Sequence, residues 1–218
     1  EALLTTRGLV DVAAAYGPDE AAVVYAVDHD GVATTTSDTE LYLRRWQHGD
    51  WQPAVRLTTN AVADTDPQLA YRTDGTPVLV WLQTTAEGRQ ELGYQAGWTE
   101  PMSLQPLTEA AAPTSLTNMA VNAAGDVVTV WRHLYEAADG SLQSDLTFAV
   151  REAATGFWSA PLRLTNDATL EHAVSVVWNG DNSLSAVYQQ HSDTGAQAIR
   201  YLQRRLGAAG FPPAAGFE

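Results

Sequence analysis

Apolar and polar positions alternate along this chain in short stretches, broken at regular intervals by turn residues. ELYLRRW (40–46), ELGYQ (91–95), DLTFAV (145–150) and AIRYLQ (198–203) alternate with period two, the pattern of strands that bury one face. Before each of them lie two apolar stretches joined by a turn rich in Gly, Asp or Asn. The segments DVAAAYGPDEAAVVY (11–25), PQLAYRTDGTPVLVW (67–81) and TNMAVNAAGDVVTVW (117–131) superpose without gaps, and VSVVWNGDNSLSAVY (174–188) follows the same frame. Each ends on an aromatic residue, Tyr25, Trp81, Trp131 or Tyr188, spaced fifty to fifty-seven residues apart.

A second marker closes the units: DWQPAVRLT (50–58), GWTEPMSLQPLT (97–108) and FWSAPLRLT (157–165). Trp51, Trp98 and Trp158 are each followed within three residues by a proline and then by Leu-Thr. Each unit therefore predicts four antiparallel strands in a meander. A unit of this size cannot cover both its faces, so neighbouring sheets must stack.

The W-x-x-P-x-x-L-T closing strand resembles that of sialidase-like and related bacterial β-propellers. The resemblance implies an all-β chain of four four-stranded antiparallel blades in a single domain, 1–218, with blades near 9–63, 64–113, 114–168 and 169–218. ALLTT (2–6) matches the end of a closing strand, which the fourth unit lacks. Residues 1–8 are thus expected to complete the last blade and close a four-bladed ring, or to belong to a preceding blade of a larger propeller.

The connections divide into two sets. GPDE, TDGT, AAGD and GDN are tight turns, usually scaffold. The opposite end carries longer connections at 26–39, 82–90, 132–145 and 189–197, joined there by the links 59–66, 109–116 and 165–172. Function on a rigid scaffold concentrates on such loops, so this end is where a site is expected.

Composition narrows the partners. The formal charge of −14 opposes binding to nucleic acid or to an acidic membrane face, and no apolar run reaches the length of a membrane span. All twelve basic residues are arginine, a usage that fits a high-GC or salt-adapted genome. With no cysteine, disulfides, thiolate metal sites and thiol nucleophiles are all excluded.

Candidate chemistry is sparse. Asp28-His29-Asp30-Gly31 has the look of a calcium loop but lacks the further acidic ligands, and we read it as a turn. His133, His172 and His191 fall at the long-connection end without a metal-ligand spacing; scattered surface histidines are the plainer reading. No metal or cofactor is expected. Five of the seven tryptophans recur at repeat positions and are assigned to packing, which leaves Trp46 and Trp178 as candidates for stacking on a sugar ring. The resemblance to sialidases would require arginines, a tyrosine–glutamate pair and an acid. Arg72, Arg132, Tyr135, Glu136 and Asp145 supply those residue types, but no aspartate box is present.

The first reading is a non-catalytic binding or scaffold module of a secreted or surface protein, holding a protein or glycan through Trp46, His133, Tyr135, Glu136, Asp145, His172, Trp178 and His191. A glycan-active enzyme, with Arg132, Glu136 and Asp145 as its polar group, is the alternative. A third reading is an assembly unit that pairs through open blade edges.

Overall fold

A computed structural model of the chain describes residues 8–29, 39–106, 115–167, 169–180, 182–192 and 195–206. Every regular element among them is a β-strand, and the strands form four antiparallel sheets in chain order. The first holds β1 (Leu9–Tyr16), β2 (Ala21–Asp28) and β3 (Thr39–Gln47), edged by the short pieces β4 (Asp50–Trp51) and β5 (Val55–Arg56). The second runs β6 (Ala63–Tyr71), β7 (Pro77–Thr84), β8 (Gln90–Ala96) and β9 (Ser103–Pro106). The third runs β10 (Ser115–Val121), β11 (Val127–Glu136), β12 (Leu142–Arg151) and β13 (Leu162–Arg163), and the fourth β14 (Leu170–Trp178), β15 (Ser183–His191) and β16 (Gln197–Arg205).

The edge strands are short because of the proline in the closing motif, which has no N–H to offer a ladder. Pro53 separates β4 from β5, and Pro161 immediately precedes β13, leaving Trp158 with a lone bridge to Arg151.

The chain forms two compact units, Glu1–Ala110 and Ala111–Glu218, each a pair of stacked sheets. In the first, Ala22, Val24, Ala26, Leu41 and Leu43 meet Leu79 and Trp81 of the second sheet. In the second, Val130, Leu146 and Phe148 of the third sheet meet Val174, Val176 and Tyr188 of the fourth. Each of the larger side chains, the valines, leucines and Phe148, contributes on the order of 1.5–3 kcal/mol on burial. Trp81 and Trp131 are both fully buried, as equivalent repeat positions require. The Trp81 indole lies flat against Gly93, where a Cβ would come within 2.0 Å of the ring.

Two expectations change. Tyr16 pairs with Ala21 and Tyr71 with Pro77, so these tyrosines are equivalent and the turn of the first sheet is one residue shorter. The gap-free superposition of 11–25 on 67–81 therefore slips by one residue within β1. The long connections 82–90 and 132–145, moreover, are largely strand extensions closed by tight turns. β11 continues to Glu136 and β12 begins at Leu142, with Gly140 (φ 83°) turning the chain and donating its N–H to the Ala137 carbonyl at 2.9 Å. Residues 85–89 close β7 on β8 in the same way, through Gly88. Residues 1–7 of the closing strand expected at 1–8, the Asp30 and Gly31 end of the calcium-like turn, and residues 109–114 of the link expected at 109–116 lie outside the described residues.

A bulge interrupts the first strand of every sheet. In β6 and β14 it places a residue other than glycine in the left-handed region, Asp66 (φ 50°) and Ala173 (φ 46°).

Candidate functional site

The extended hairpins put the C-terminal end of β11, the start of β12, the start of β14 and the end of β15 at one end of the second unit. Buried acids gather there, and comparison with the first unit separates scaffold from chemistry. Positions 107 residues apart correspond across the units: Arg56 with Arg163, Thr58 with Thr165, Asp64 with Glu171 and Gln83 with Gln190.

The Arg-Leu-Thr of the closing motif is a clamp. Arg56 pairs with buried Glu40 at 2.8 Å, and Arg163 pairs with buried Asp145 at 2.8 Å. Two residues on, Thr58 Oγ1 accepts the Leu41 N–H at 2.9 Å and Thr165 Oγ1 accepts the Leu146 N–H at 2.8 Å. The clamp fixes the edge strand to the start of the third strand, with no ligand needed. In the second sheet Pro106 stands immediately before the Leu-Thr, where the first and third have arginine.

A second buried acid opens the first strand of the even-numbered sheets. Asp64 accepts hydrogen bonds from Trp81 Nε1 (2.8 Å), Gln83 Nε2 (2.9 Å) and Asn60 Nδ2 (2.7 Å). Burial pushes its pKa up, and these donors pull it back. Glu171, its counterpart, is equally buried but has a different neighbour: where the first unit has Asn60, the second has Asp167. An amide that donates is thus replaced by an acid that does not.

Proton bookkeeping shows the result. Thr169 Oγ1 lies 3.1 Å from Glu171 Oε1, contacts Asp167 Oδ1, and accepts from Gln190 Nε2 at 3.1 Å. One hydroxyl has one proton. If that proton goes to exposed Asp167, Glu171 must carry its own and donate it to Thr169. Burial first, and then the charge of Asp167, push the Glu171 carboxyl up to about 8, with Asp145 adding to the rise. Glu171 therefore holds a proton at neutral pH. Gln190 also donates to Asp167 Oδ2 at 2.8 Å and is itself held by Arg200 at 2.7 Å. Above this network is a hollow of about 150 Å³ lined by Thr169, His191, Ser141, Gln143 and Ser192.

Of the residues singled out from the sequence, seven lie at this end. Asp145 is in the clamp; burial pushes its pKa up, Arg163 opposes that and Asp167 reinforces it. Tyr135 lies under the Arg163 guanidinium at 5.6 Å and stacks on His133 at 5.7 Å; burial and then Asp145 push its phenol up. His172 and His191 come together at 4.9 Å rather than scattering. Arg132 is 2.9 Å from His172 Nδ1 and can only donate, so that nitrogen is unprotonated; burial, Arg132 and His191 lower the His172 pKa. Glu136 ends β11 in an exposed position.

The set Arg132, Glu136 and Asp145 does not assemble. Arg132 and Glu136 share one face of β11, while Asp145 is registered opposite His133 on the other face. Tyr135 and Glu136 likewise point apart. Trp46 and Trp178 both lie at the tight-turn end. Trp46 makes an edge contact with Trp51 at 5.7 Å; Trp178 packs on the core and donates to Asn182 at 3.2 Å, beside a small hollow edged by Asn122 and Asn179. Arg72 is also at that end, bonded to the Tyr94 hydroxyl at 2.9 Å. Sequence reasoning missed Asp167, Thr169, Glu171 and Gln190. Their signal was available as L-T-x-N-x-x-x-D (57–64) against L-T-x-D-x-x-x-E (164–171).

Stacked four-stranded meanders with a closing edge strand define a β-propeller fold. Solved structures agree on that architecture. A Hadza microbial sialidase matches over 90% of this chain with a TM-score of 0.56 at 12% identity, and the chain spans 44% of that protein. A Penicillium chrysogenum alpha-L-arabinanase complexed with arabinobiose matches over 90% with a TM-score of 0.58 at 11% identity, and the chain spans 62% of it. A thermostable family-43 glycoside hydrolase matches over 92%, with 73% of its own length covered, a TM-score of 0.53 and 13% identity. At such identities the likeness is one of fold. No family model matches the chain, and no curated protein matches it in sequence.

Proposed function

We propose that the chain is part of a glycan-active β-propeller protein that works at the hairpin end of its second unit. The observation that carries the reading is the Glu171–Thr169–Asp167 group, in which a buried acid, pushed up to about 8 by burial and by Asp167, shares one hydroxyl with an exposed carboxyl where the sister unit has a settled Asn–Asp pair. Cleavage of a glycosidic bond needs a carboxyl that delivers a proton to the leaving oxygen. Asp167 is the member able to touch a saccharide, and Glu171 is a positioning residue that keeps a proton within reach through Thr169. The carbohydrate-active character of the solved neighbours supports the same direction. A glycan substrate fits an extracellular or cell-surface setting. Among the described residues, no helix is long and apolar enough to cross a membrane.

The test is a panel of chromogenic glycosides and polysaccharides assayed from pH 5 to 8, beside a glycan array. Turnover that falls by about 10²–10⁴-fold in Asp167→Asn supports the reading. Retention on the array without turnover would return the chain to a non-catalytic binding module. Neither retention nor turnover overturns the glycan reading altogether.

A further inference from the structure

The hollow at the hairpin end of the second unit is walled by both sheets of that unit. Ser141, Leu142 and Gln143 come from the turn before β12 and its start, Thr169 and Leu170 from the start of β14, and His191 from the end of β15. At about 150 Å³ it has the volume at which a cavity takes one six-membered ring. Two leucines give it apolar wall, while hydroxyls and an amide give it a polar edge. That mixture suits a sugar ring, whose faces are C–H and whose rim is hydroxyl.

His191 is the residue that the fold does not ask for. The cross-strand pair Ala63–Thr84 of the second sheet is Leu170–His191 at the same place in the fourth, so the ladder is satisfied with or without an imidazole. Thr169 likewise stands where the first unit has Val62. The His191 ring packs on His172, yet its Nε2 is buried without a hydrogen bond, the only such side-chain atom among the described residues lining the hollow. A buried polar atom left in this way costs free energy that a ligand hydroxyl would recover. Because a hydroxyl both donates and accepts, it satisfies Nε2 in either tautomer.

Charge narrows the class of sugar. Asp139 lines the hollow, and hydrogen bonds from the Ser141 hydroxyl and N–H hold its carboxyl below the usual range, so it is ionised at neutral pH. Asp167 contacts Thr169 of the same lining. No arginine is among the described lining residues, and Arg132 is committed to His172 instead. A carboxylate on the ligand would meet like charges with no cation to answer them.

We propose that this hollow is a subsite for one uncharged sugar ring, a hydroxyl of which bonds His191 Nε2, and that it turns acidic sugars away. The class of ligand rests on the glycan reading above; the choice of a neutral ring rests on the lining.

The experiment is an NMR titration of the whole chain that follows the imidazole signals of its five histidines. The probes are xylose, arabinose, glucose, galactose, mannose and fucose, set against glucuronic and galacturonic acid. His191→Phe removes the bond and His191→Gln keeps a side chain able to make it; either variant assigns the His191 signal by its loss, and circular dichroism checks the fold of both. We expect a neutral sugar to shift the His191 signal with affinity on the order of millimolar, and the uronic acids to leave it in place. Binding should weaken about tenfold in His191→Phe and recover in His191→Gln. A His191 signal that no neutral sugar moves, an equal shift from the uronic acids, or binding that ignores His191→Phe overturns the subsite. Turnover in the glycoside panel alongside any of these leaves the glycan reading standing without the subsite, whereas a His191 shift without turnover supports the subsite alone.

Discussion

Asp167 and Glu171 converge on a single hydroxyl, that of Thr169, from opposite degrees of exposure: Asp167 faces solvent and Glu171 is fully buried. The equivalent pair in the first unit, Asn60 and Asp64, is joined directly by an amide hydrogen bond of 2.7 Å. An acid in place of the amide thus accompanies the change from a satisfied carboxylate to a carboxyl that must keep its proton.

That difference is measurable as pH-dependent stability. The folded-state pKa of Glu171, about 8, lies above the ordinary 4.5, so its contribution is complete below about pH 4.5 and is lost as pH rises toward 8. Denaturant unfolding of the wild type and Glu171→Gln across that window should show the wild type losing stability relative to the variant. Parallel profiles would refute the assignment.

Asp167→Asn re-creates the first unit's arrangement by giving Glu171 an amide donor and removing the charge of Asp167. The Glu171 carboxyl should then titrate lower, and carboxyl-carbon NMR would follow it directly. An unmoved titration would mean that Asp167 is not what holds it up.

The arginine clamps are a separate matter from the site. Arg163→Ala and Arg56→Ala each strand a buried acid, Asp145 or Glu40. The arginines are partly exposed, so the expected loss is about 2 kcal/mol, below that for a fully buried pair. Thr165→Val should cost about 1–2 kcal/mol by leaving the Leu146 N–H without its acceptor. Urea unfolding reads both.

Ala173 sits at a bulge with φ 46°, next to the candidate site. Ala173→Gly should raise stability by about 1 kcal/mol, since a left-handed alanine costs roughly that. Calorimetry would detect the rise; a fall would show that the neighbouring strand tolerates alanine without strain.

Gly93 tests the core. Gly93→Ala drives a methyl into the Trp81 indole and should cost about 1–3 kcal/mol, as overpacking does. In the third sheet Thr147 is registered opposite Trp131, so the clearance is particular to the second sheet.

Much of the fold was legible because strand alternation and the recurring Tyr25, Trp81, Trp131 and Tyr188 report burial directly, and all four lie in the core. The extended hairpins were not, since polar residues such as His133 and Glu136 on the far parts of a strand look like loop in a sequence. The site was hidden for a related reason. Glu171 and Asp64 open strands amid turn residues, and only the register shows that both are buried. The histidines and tryptophans drew attention through residue type, whereas the informative difference, Asn60 against Asp167, is one between aligned repeats.

The correspondence at 107 residues joins positions two sheets apart: the clamp recurs in the first and third, the buried opening acid in the second and fourth. The element that repeats along this chain is accordingly a couplet of unlike sheets. Lineages that lengthened by copying it would gain strands eight at a time, and within each new couplet only one sheet would inherit the acid from which chemistry could start.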